Sequence, residues 1–394
     1  MVRHLQVHQK FLLLAAGLIF SLGLSSCSSA IPASSEAMPA ERPSVRVAPV
    51  SEEELPIQTA THVVEAPPEK MSNIAASTAA PSGQVHRFDH VPAPPLETFL
   101  PHTSIKAGVE PVSYLANPCF YLENRWGEGK SHPGTVVVPI MFHSVVQPGR
   151  LIADTTSISM AYFEYFMETA QDLGFSTITT DELVAFLEHN QSIPERSMIL
   201  ILDDRRPGVT ELFMPYLEEN DWTLTLGWIA ADTTRAAVWE TMTALAGTGR
   251  LDVQSHGFNH IYVQDYVDAA QIEEELVKPI EVIQARFGTT PLAHVWPGGN
   301  FNALSIALAG EAGYKIGFTA YSRGPILFNW VPLGEPELAM DAPLMVLPRF
   351  WSTGAVQALE EAVRVSEEAK AYATAMFDAE QAYYHDYCLP LGSE

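Results

Sequence analysis

Four side chains near the middle of the sequence have the types and spacing to bind a metal ion and use it for hydrolysis. Asp203 and Asp204 are adjacent, and His256 and His260 follow with three residues between them. A divalent metal in hydrolysis takes three protein ligands from imidazole and carboxylate groups and keeps a position open for water. The two imidazoles share one face if their loop turns helically, and one aspartate supplies a charged oxygen. The second aspartate is then free to act as a base.

The spacing of these residues is not sufficient evidence by itself. His86 and His90 have the same spacing, but they lie where no folded structure is predicted, so we assign them no role. The pair His256 and His260 could be satisfied polar residues of the core, and Asp203-Asp204 could cap a helix after a strand. Two adjacent buried carboxylates without a cation would however be costly. The combination therefore favours a metal site.

The surrounding pattern predicts the elements that bring these side chains together. Four short apolar runs predict buried strands, each followed by polar or turn residues: 136–142, 198–202, 251–254 and 292–296. Amphipathic patterns predict helices over 160–173, from the capping box at 179–182 to about 190, over 271–287 and over 304–313. Alternating strands and helices indicate a parallel sheet or barrel. Functional residues of such folds gather at the C-terminal ends of the strands, where these candidates lie.

The first residues are typical of a secretion signal. Residues 1–10 carry basic side chains and no acid, and 11–24 form an apolar run that is too short to span a bilayer comfortably. Residues 24–27 read LSSC, which resembles a bacterial lipobox whose cysteine becomes the lipidated first residue. We therefore expect a lipoprotein signal peptide over 1–26, lipidation of Cys27 and an extracytoplasmic protein anchored to the cell membrane. An ordinary signal with a chance cysteine is the alternative.

The composition divides the rest of the chain into three parts. Residues 27–105 are rich in proline, alanine, serine and glutamate without a sustained apolar period, which predicts a disordered tether. We expect a compact domain over 106–352 and a helical tail over 353–394 with a solvated acidic face. The net charge of −25 and the scattered basic residues argue against nucleic-acid binding, and we expect a monomer.

Two further cysteines are Cys119, near the start of the predicted domain, and Cys388, in the predicted tail. In an oxidising compartment they could form a disulfide that pins the C-terminal tail to the start of the domain, or they could remain unpaired thiols. Neither cysteine lies in a motif that suggests catalysis.

Five blocks, taken in order, resemble a known family. They read PIMFHSV (139–145), DLGFSTITTDELVAFL (172–187), LILDDR (200–205), LDVQSHGFNH (251–260) and WPGGNFN (296–302). This set is similar to the NodB-homology polysaccharide deacetylases of carbohydrate esterase family 4, in the branch that acts on poly-N-acetylglucosamine. The resemblance covers roughly residues 135–350. It implies an α/β fold, a distorted (β/α)7 barrel, and metal-dependent removal of N-acetyl groups from glycans that contain N-acetylglucosamine.

The resemblance also implies roles for individual residues. Asp204, His256 and His260 match the metal ligands, Asp203 matches the catalytic base and His143 matches the general acid of this branch. The stretch Trp296, Pro297 and Gly298 matches the lining of the site, where the N–H of Gly298 would help to hold the oxyanion. Two histidines and one aspartate suit Zn²⁺ and also accept Co²⁺, Ni²⁺ or Fe²⁺.

The sequence departs from the family at the first motif, where Arg205 replaces a glycine. Its side chain could intrude on the pocket or hold the ionised Asp203. Many members place an arginine two residues before the proline of the later motif, and that position is Val295 here. Arg349 is the candidate to replace this arginine as the tether of the base, and a surface salt bridge is the alternative for it. His385 competes with His143 for the role of acid, and we disfavour it because no apolar strand precedes it. Three aromatic residues could stack on sugar rings, although such residues more often belong to the core: Trp296, Phe301 and Trp351.

Three functions are consistent with these residues. The first is a lipid-anchored, metal-dependent polysaccharide deacetylase that releases acetate, a hydrolase of carbon–nitrogen bonds other than peptide bonds. The second is a non-catalytic glycan-binding lipoprotein whose activity was lost with the motif glycine. The third is a metal-dependent amidase acting on a non-sugar C–N bond, because a fold does not fix its substrate.

Overall fold

The computed structural model describes residues 96, 99, 106–231 and 233–389. They lie in the second of two compact units, which spans Ser82–Glu394. Several parts of the sequence analysis lie outside the described residues: the predicted signal peptide, Cys27, the pair His86 and His90, and nearly all of the predicted tether. Among the helices of the described ranges, none combines the length and the apolar character needed to cross a membrane.

The described residues form strands and helices that alternate through most of the chain. The strands are β1 Val109–Val112, β2 Val136–Phe142, β3 Ser144–Val146, β4 Ser157–Ser159, β5 Ser176–Thr177, β6 Arg196–Asp203, β7 Leu224–Trp228, β8 Leu251–Ser255, β9 Ala293–Val295, β10 Ile316–Phe318, β11 Ile326–Leu327, β12 Val331–Gly334 and β13 Phe350–Trp351. The α-helices are α1 Pro118–Trp126, α2 Met160–Asp172, α3 Thr180–His189, α4 Pro207–Asn220, α5 Ala236–Ala246, α6 Ala269–Phe287, α7 Ala303–Ala312, α8 Glu335–Leu338 and α9 Ala355–Tyr387. Short 3-10 turns cover Pro297–Gly299, Pro343–Val346 and Ser352–Gly354.

Six parallel strands form a curled central sheet in the order β10-β9-β8-β7-β6-β2. The chain segment 347–351 connects its two edges. Leu347 makes a parallel bridge to Phe318 of β10, and β13 pairs in parallel with the C-terminal half of β2. The first half of β2 pairs instead with the antiparallel β11. The sheet therefore closes through one interrupted strand, and the predicted distorted (β/α)7 barrel is confirmed.

The continuous apolar runs are explained by burial on both faces of the sheet. Every residue of β2 is buried, and so is every residue of β6 after its first. Alternate side chains of these two strands belong to two different hydrophobic clusters. One cluster includes α2 and α9, and the other includes α3 and the segment around Leu347. Strands covered on both faces need no polar alternation, which is why their sequences are apolar throughout.

The four predicted strands correspond to β2, β6, β8 and β9, and the predicted capping box is present, with Thr179 and Glu182 each accepting from the other's backbone N–H. Sequence reasoning missed β7, β10 and the helices α4 and α5. The strand β10 has only three residues, and β7 carries Thr225 and Gly227 among its apolar side chains. Such short or interrupted runs resemble loops until neighbouring strands are known.

The tail helix belongs to the core of the domain. Helix α9 has 33 residues, and its buried side chains pack against β2 and α2. Glu360 and Glu367 are exposed, whereas Glu380 is buried and pairs with Arg125. Phe99, which falls in the predicted tether, packs its ring edge-on against Trp330 and Tyr372 at 5.9 and 5.4 Å between centroids. At this position the chain is in contact with the domain.

A disulfide joins Cys119, near the start of α1, to Cys388, directly after α9. Their Cα atoms lie 5.3 Å apart and 269 positions separate them in the chain. Of the two alternatives that the sequence left open, the structure has the bridge. It closes a loop that contains every strand of the barrel.

We expect replacement of Cys119 and Cys388 by serine to lower the free energy of unfolding by about 3 kcal/mol, because a crosslink between residues so far apart restricts the unfolded chain. Urea unfolding of the double variant measures the loss. Wild-type protein unfolded with a reductant present is the control and should show the same midpoint as the variant. An unchanged midpoint would mean that the bridge adds nothing to stability.

Candidate metal centre

The sheet topology brings the two halves of the predicted metal site to one edge of the barrel. Asp203 is the last residue of β6, and His256 directly follows β8. The strand β7 lies between them and runs parallel to both, so the three C-terminal ends coincide. Gly227 of β7 leaves the room between them, because a Cβ there would lie 3.0 Å from Oδ1 of Asp203 and 3.6 Å from Cβ of His256.

Asp204, His256 and His260 form a three-residue cluster in which one ligand atom from each lies within 4.8 Å of the others. The Nε2 atoms of the two histidines are 3.1 Å apart. Oδ1 of Asp204 lies 3.9 Å from Nε2 of His256 and 3.8 Å from Nε2 of His260. Ligand atoms around a tetrahedral zinc ion are separated by about 3.3 Å. The donor set and its spacing therefore fit a small divalent ion after a slight approach of the carboxylate.

The orientation of His256 suits metal ligation. Its Nδ1 lies 2.7 Å from the carbonyl oxygen of Val295, so Nδ1 carries the proton and Nε2 faces the cluster with its lone pair. Burial lowers the pKa of His256 to about 4, against an opposing effect from the charge of Asp203. The ring is therefore neutral at physiological pH, which is the form that binds metals.

His260 reaches the cluster from a loop. The spacing of His256 and His260 suggested that a helical turn aligns the two rings, but the loop is not helical. Its backbone has a φ of 62°, in the left-handed region. The buried side chain of Glu275, on α6, organises this loop: its Oε1 accepts the N–H of Asn259 at 2.7 Å and its Oε2 accepts the N–H of Ile261 at 3.2 Å. The position of His260 thus depends on a carboxylate that sequence reasoning did not single out.

Asp203 lies behind the cluster in a nearly dry environment, with 2% of its side chain exposed. Its Oδ1 accepts from Nη1 of Arg349 at 2.8 Å, and Arg349 also donates Nε to the carbonyl of Thr319 at 2.6 Å. Its Oδ2 lies 3.6 Å from Nε2 of His143 and 3.9 Å from Nε2 of His256. Burial opposes ionisation, but the charge of Arg349 and the two imidazoles outweigh it and hold the pKa of Asp203 below its usual value. The structure thus places Arg349 where a tether of the base would stand.

His143 directly follows β2 and faces Asp203. Its ring stacks on that of Trp351, with centroids 6.2 Å apart and planes within 12°. Trp351 in turn donates its indole N–H to the carbonyl of Ala320 at 3.0 Å. Burial lowers the pKa of His143, and the nearby Asp203 and Asp204 partly oppose that effect. Its buried Nδ1 has no hydrogen-bond partner among the residues that the structure describes.

Arg205 has neither of the roles considered for it. Its Nη1 lies 3.4 Å from the carbonyl of Ala231 and hydrogen-bonds to Oγ1 of Thr234, so the side chain is held by the loop after β7 and does not bind Asp203 or fill the cluster. The left-handed backbone at this turn falls on Asp204, with a φ of 71°, and not on residue 205. Replacement of the motif glycine by Arg205 therefore does not put residue 205 in a strained backbone conformation.

The neighbouring Arg206 does contact the cluster, which sequence reasoning missed. Its Nε and Nη2 lie 3.0 and 2.5 Å from Oδ2 of Asp204, and its Nη1 hydrogen-bonds to Oγ of Ser144. Burial opposes ionisation of Asp204, but the hydrogen bonds from Arg206 and the charge of His256 outweigh it and lower the pKa of Asp204. Nothing in the spacing of two consecutive arginines signals that they point in different directions.

The aromatic stretch after β9 differs from expectation at its first residue. Trp296 is fully buried and donates its indole N–H to the carbonyl of Met345 at 2.8 Å, so it belongs to the core and cannot stack on a sugar. Pro297 and Gly298 form the 3-10 turn that follows, and Gly298 has a φ of 63°. A Cβ at Gly298 would lie 3.2 Å from the ring of Tyr262, whose centroid is 5.3 Å from that of His260. This half-exposed tyrosine was not predicted as a site residue.

The remaining candidates lie outside this cluster of contacts. His385 is 79% exposed near the end of α9, with Nδ1 3.1 Å from the carboxylate of Asp386. Phe301 packs against Trp296 and Tyr321, with ring centroids 6.5 and 6.4 Å away.

The fold and the side chains at its C-terminal edge define an α/β barrel with a candidate catalytic centre. Residues 190–317 match the family model of the polysaccharide deacetylases. This stretch contains Asp203, Asp204, His256 and His260, whereas His143 and Arg349 lie outside it. Residues 190–317 therefore correspond to a polysaccharide deacetylase domain, a domain of hydrolytic enzymes, and the resemblance of the sequence to the polysaccharide deacetylases is confirmed over this stretch.

Several solved structures are similar to this chain. The Streptococcus pyogenes deacetylase PplD in complex with acetate matches at 16% identity over 58% of this chain and 99% of its own, with a TM-score of 0.47. IcaB from Ammonifex degensii matches at 16% identity over 59% and 98%, with a TM-score of 0.46. BC0361, a polysaccharide deacetylase from Bacillus cereus, matches at 18% identity over 58% and 69%, with a TM-score of 0.46. A comparison with curated proteins found no match.

We expect Arg349→Met to lower the free energy of unfolding by about 3 kcal/mol at neutral pH, because it leaves the buried carboxylate of Asp203 without its cation. The deficit should shrink as the pH falls, first through the raised pKa of the unpaired Asp203 in the variant and then through the lowered pKa of Asp203 in wild type. In wild type, by the same reasoning, the contribution of Asp203 is present above its unfolded pKa and is lost as the pH falls through its lower folded pKa. Urea unfolding across a pH series measures both effects.

The double variant Arg349→Met with Asp203→Asn is the control for this interpretation. It removes the buried charge together with its partner and should recover at least half of the lost stability. If the double variant is as unstable as the single variant, packing of the arginine stem explains the loss and the ion pair does not.

Proposed function

We propose that this protein hydrolyses N-acetyl groups of a polysaccharide that contains N-acetylglucosamine and releases acetate. The observation that carries the proposal is the convergence of Asp204, His256 and His260 beside a separate buried carboxylate, Asp203, which an arginine holds ionised. Three ligands plus a base that is not a ligand is the arrangement that metal-assisted hydrolysis requires. The deacetylase family match over residues 190–317 supports the reaction class.

The metal in this proposal is divalent, and Zn²⁺ suits the two imidazoles and one carboxylate best, with Co²⁺, Ni²⁺ and Fe²⁺ as further candidates. Asp204, His256 and His260 would hold it. When bound, such an ion polarises the amide carbonyl and makes a nearby water molecule more acidic. The neutral state and the fixed tautomer of His256 support this assignment, since its Nε2 lone pair faces the other two ligand atoms.

The residues of this chain divide the proton transfers between two sides of the amide. Asp203 accepts the proton of the attacking water, and Arg349 keeps it ionised for that role. The water oxygen bonds to the carbonyl carbon, the C–N bond breaks, and protonated His143 donates to the departing amine nitrogen. The N–H of Gly298 would hydrogen-bond the developing oxyanion. The products are acetate and a glucosamine unit.

The location of this activity rests on the N-terminal sequence. The signal-like segment 1–26 and the LSSC motif ending at Cys27 support a lipid-anchored protein on the outer side of a cell membrane. The Pro-rich segment that follows would let the domain reach a glycan at some distance from the lipid surface. The glycan is then a component of the cell envelope or its surroundings.

We expect the full-length protein in detergent to release acetate from N-acetylglucosamine oligomers, to stop when a chelator removes the metal and to resume when Zn²⁺ is restored. Asp203→Asn should retain the metal and lose turnover at least about 100-fold, because it removes the base and no ligand. Asp221→Asn, which changes an aspartate that is 89% exposed, is the matched control and should keep wild-type turnover.

The same measurement separates the alternatives. Metal binding without acetate release from any oligomer would contradict the deacetylase proposal and favour a glycan-binding protein or an amidase with a different substrate. Glycan binding measured on that protein would then distinguish these two. The orientation of Arg205, away from the cluster, removes the steric reason for expecting an inactive site.

We expect His143→Asn to lower turnover by about 100-fold or more while metal content and KM stay close to wild type, because the amine leaves poorly without a proton donor. His385→Asn is the matched control, since His385 is the other histidine considered for the acid and lies exposed on α9. A loss of activity in His385→Asn with a normal His143→Asn would reverse the assignment.

A further inference from the structure

Arg206 makes contacts that the proposed reaction does not use. It immediately precedes α4, whose first residue is Pro207, and 35% of its side chain is exposed. Its guanidinium donates from Nε and Nη2 to the same oxygen of Asp204, and from Nη1 to the hydroxyl of Ser144. One side chain therefore connects the loop after β6 to β3, directly beside His143.

These contacts divide the two oxygens of Asp204 between two partners. Oδ2 accepts both guanidinium nitrogens, at 3.0 and 2.5 Å. Oδ1 faces Nε2 of His256 at 3.9 Å and Nε2 of His260 at 3.8 Å. The terminal torsion of an aspartate is broad, so a free carboxylate could turn either oxygen, or both, toward an ion. Because two guanidinium nitrogens donate to Oδ2 while the third donates to Ser144, the arginine fixes the position of that oxygen, which a single point charge would not do.

Arg206 also carries a positive charge near a site for a cation. This charge would lower the affinity for the metal ion, whereas positioning of the ligand would raise it. Charge repulsion alone would make the arginine weaken metal binding, and its removal would then strengthen binding. Positioning alone would make its removal weaken binding, as is found for groups that hydrogen-bond metal ligands. The geometry favours positioning, because all three guanidinium nitrogens donate to acceptors and the oxygen near the two histidines is Oδ1, which Arg206 does not contact.

We propose that Arg206 is a positioning residue of the metal centre, which holds Oδ2 of Asp204 so that the aspartate binds a divalent ion through Oδ1 alone. The inference rests on the metal site of the proposed function. It identifies a residue that contacts a metal ligand without binding the metal, and the aspartates and histidines alone do not predict this residue. It also distinguishes the two consecutive arginines, since Arg205 binds the loop after β7 and Arg206 binds the ligand.

The test is the Zn²⁺ affinity of the full-length protein in detergent, measured by competition with a chromophoric chelator in the absence of glycan. Arg206→Gln and Arg206→Lys should each weaken Zn²⁺ binding about 10-fold or more, because both lose the fork and only the first loses the charge. Arg250→Gln is the matched control, since Arg250 pairs with the exposed Asp221 far from the cluster, and its affinity should equal that of wild type. Urea unfolding of each metal-free variant checks that it is folded.

A second measurement reads the coordination directly. In the Co²⁺-loaded protein, the visible absorption of a four-coordinate ion is much stronger than that of an ion with five or six ligand atoms. We expect Arg206→Gln to weaken this absorption, because the released carboxylate can add its second oxygen. The variant needs only to bind Co²⁺ for this test, so a modest loss of stability does not affect it.

Two results would overturn the inference. Wild-type affinity in both Arg206 variants would mean that the contact is an ordinary surface ion pair. Tighter binding in Arg206→Gln with wild-type affinity in Arg206→Lys would mean that only the charge matters. Neither result depends on turnover, so a protein that binds Zn²⁺ as described but releases no acetate would refute the proposed function and leave this inference intact.

Discussion

The ion pair between Asp203 and Arg349 is the interaction on which the rest of the site depends. Both side chains are almost completely buried, and they come from positions that are 146 residues apart. Asp203 ends β6, whereas Arg349 lies in the segment that closes the barrel between β10 and β2. An isolated carboxylate in this environment would be protonated, because burial disfavours its charge. Closure of the barrel and ionisation of Asp203 are therefore linked through one arginine.

A second constraint is that a hydrogen bond to one atom of a side chain fixes the direction of another atom, which faces the cluster. His256 uses Nδ1 to bind the carbonyl of Val295 and presents Nε2 to the cluster. Asp204 uses one oxygen for Arg206 and presents the other to the imidazoles. In both cases the atom that faces away is fixed by a hydrogen bond, so the atom that faces the cluster has a fixed direction. Glu275 has the same effect on the backbone of the loop that carries His260.

The position of the motif glycine, occupied here by Arg205, shows how the turn after β6 differs from what the family pattern implies. The sequence indicates that an arginine at position 205 could fill or perturb the site. In the structure the left-handed conformation falls on Asp204, and Arg205 is drawn away by the carbonyl of Ala231 and the hydroxyl of Thr234. The arginine that reaches the site is the next one. The turn after β6 thus carries an arginine in place of the glycine, and Asp203 and Asp204 remain at the end of this strand.

The sequence by itself determined the fold class and the identity of the central residues. The continuous apolar run that ends at Asp203 is sufficient to predict a strand of a parallel sheet with candidate site residues at its C-terminal end, because burial on both faces leaves a direct imprint on composition. Only the tertiary structure decided which side chains support them. Arg206 donates to Ser144, Glu275 holds the loop that carries His260, and Trp296 donates to Met345 in the core. These contacts join residues distant in sequence, so the directions of the side chains leave no local pattern.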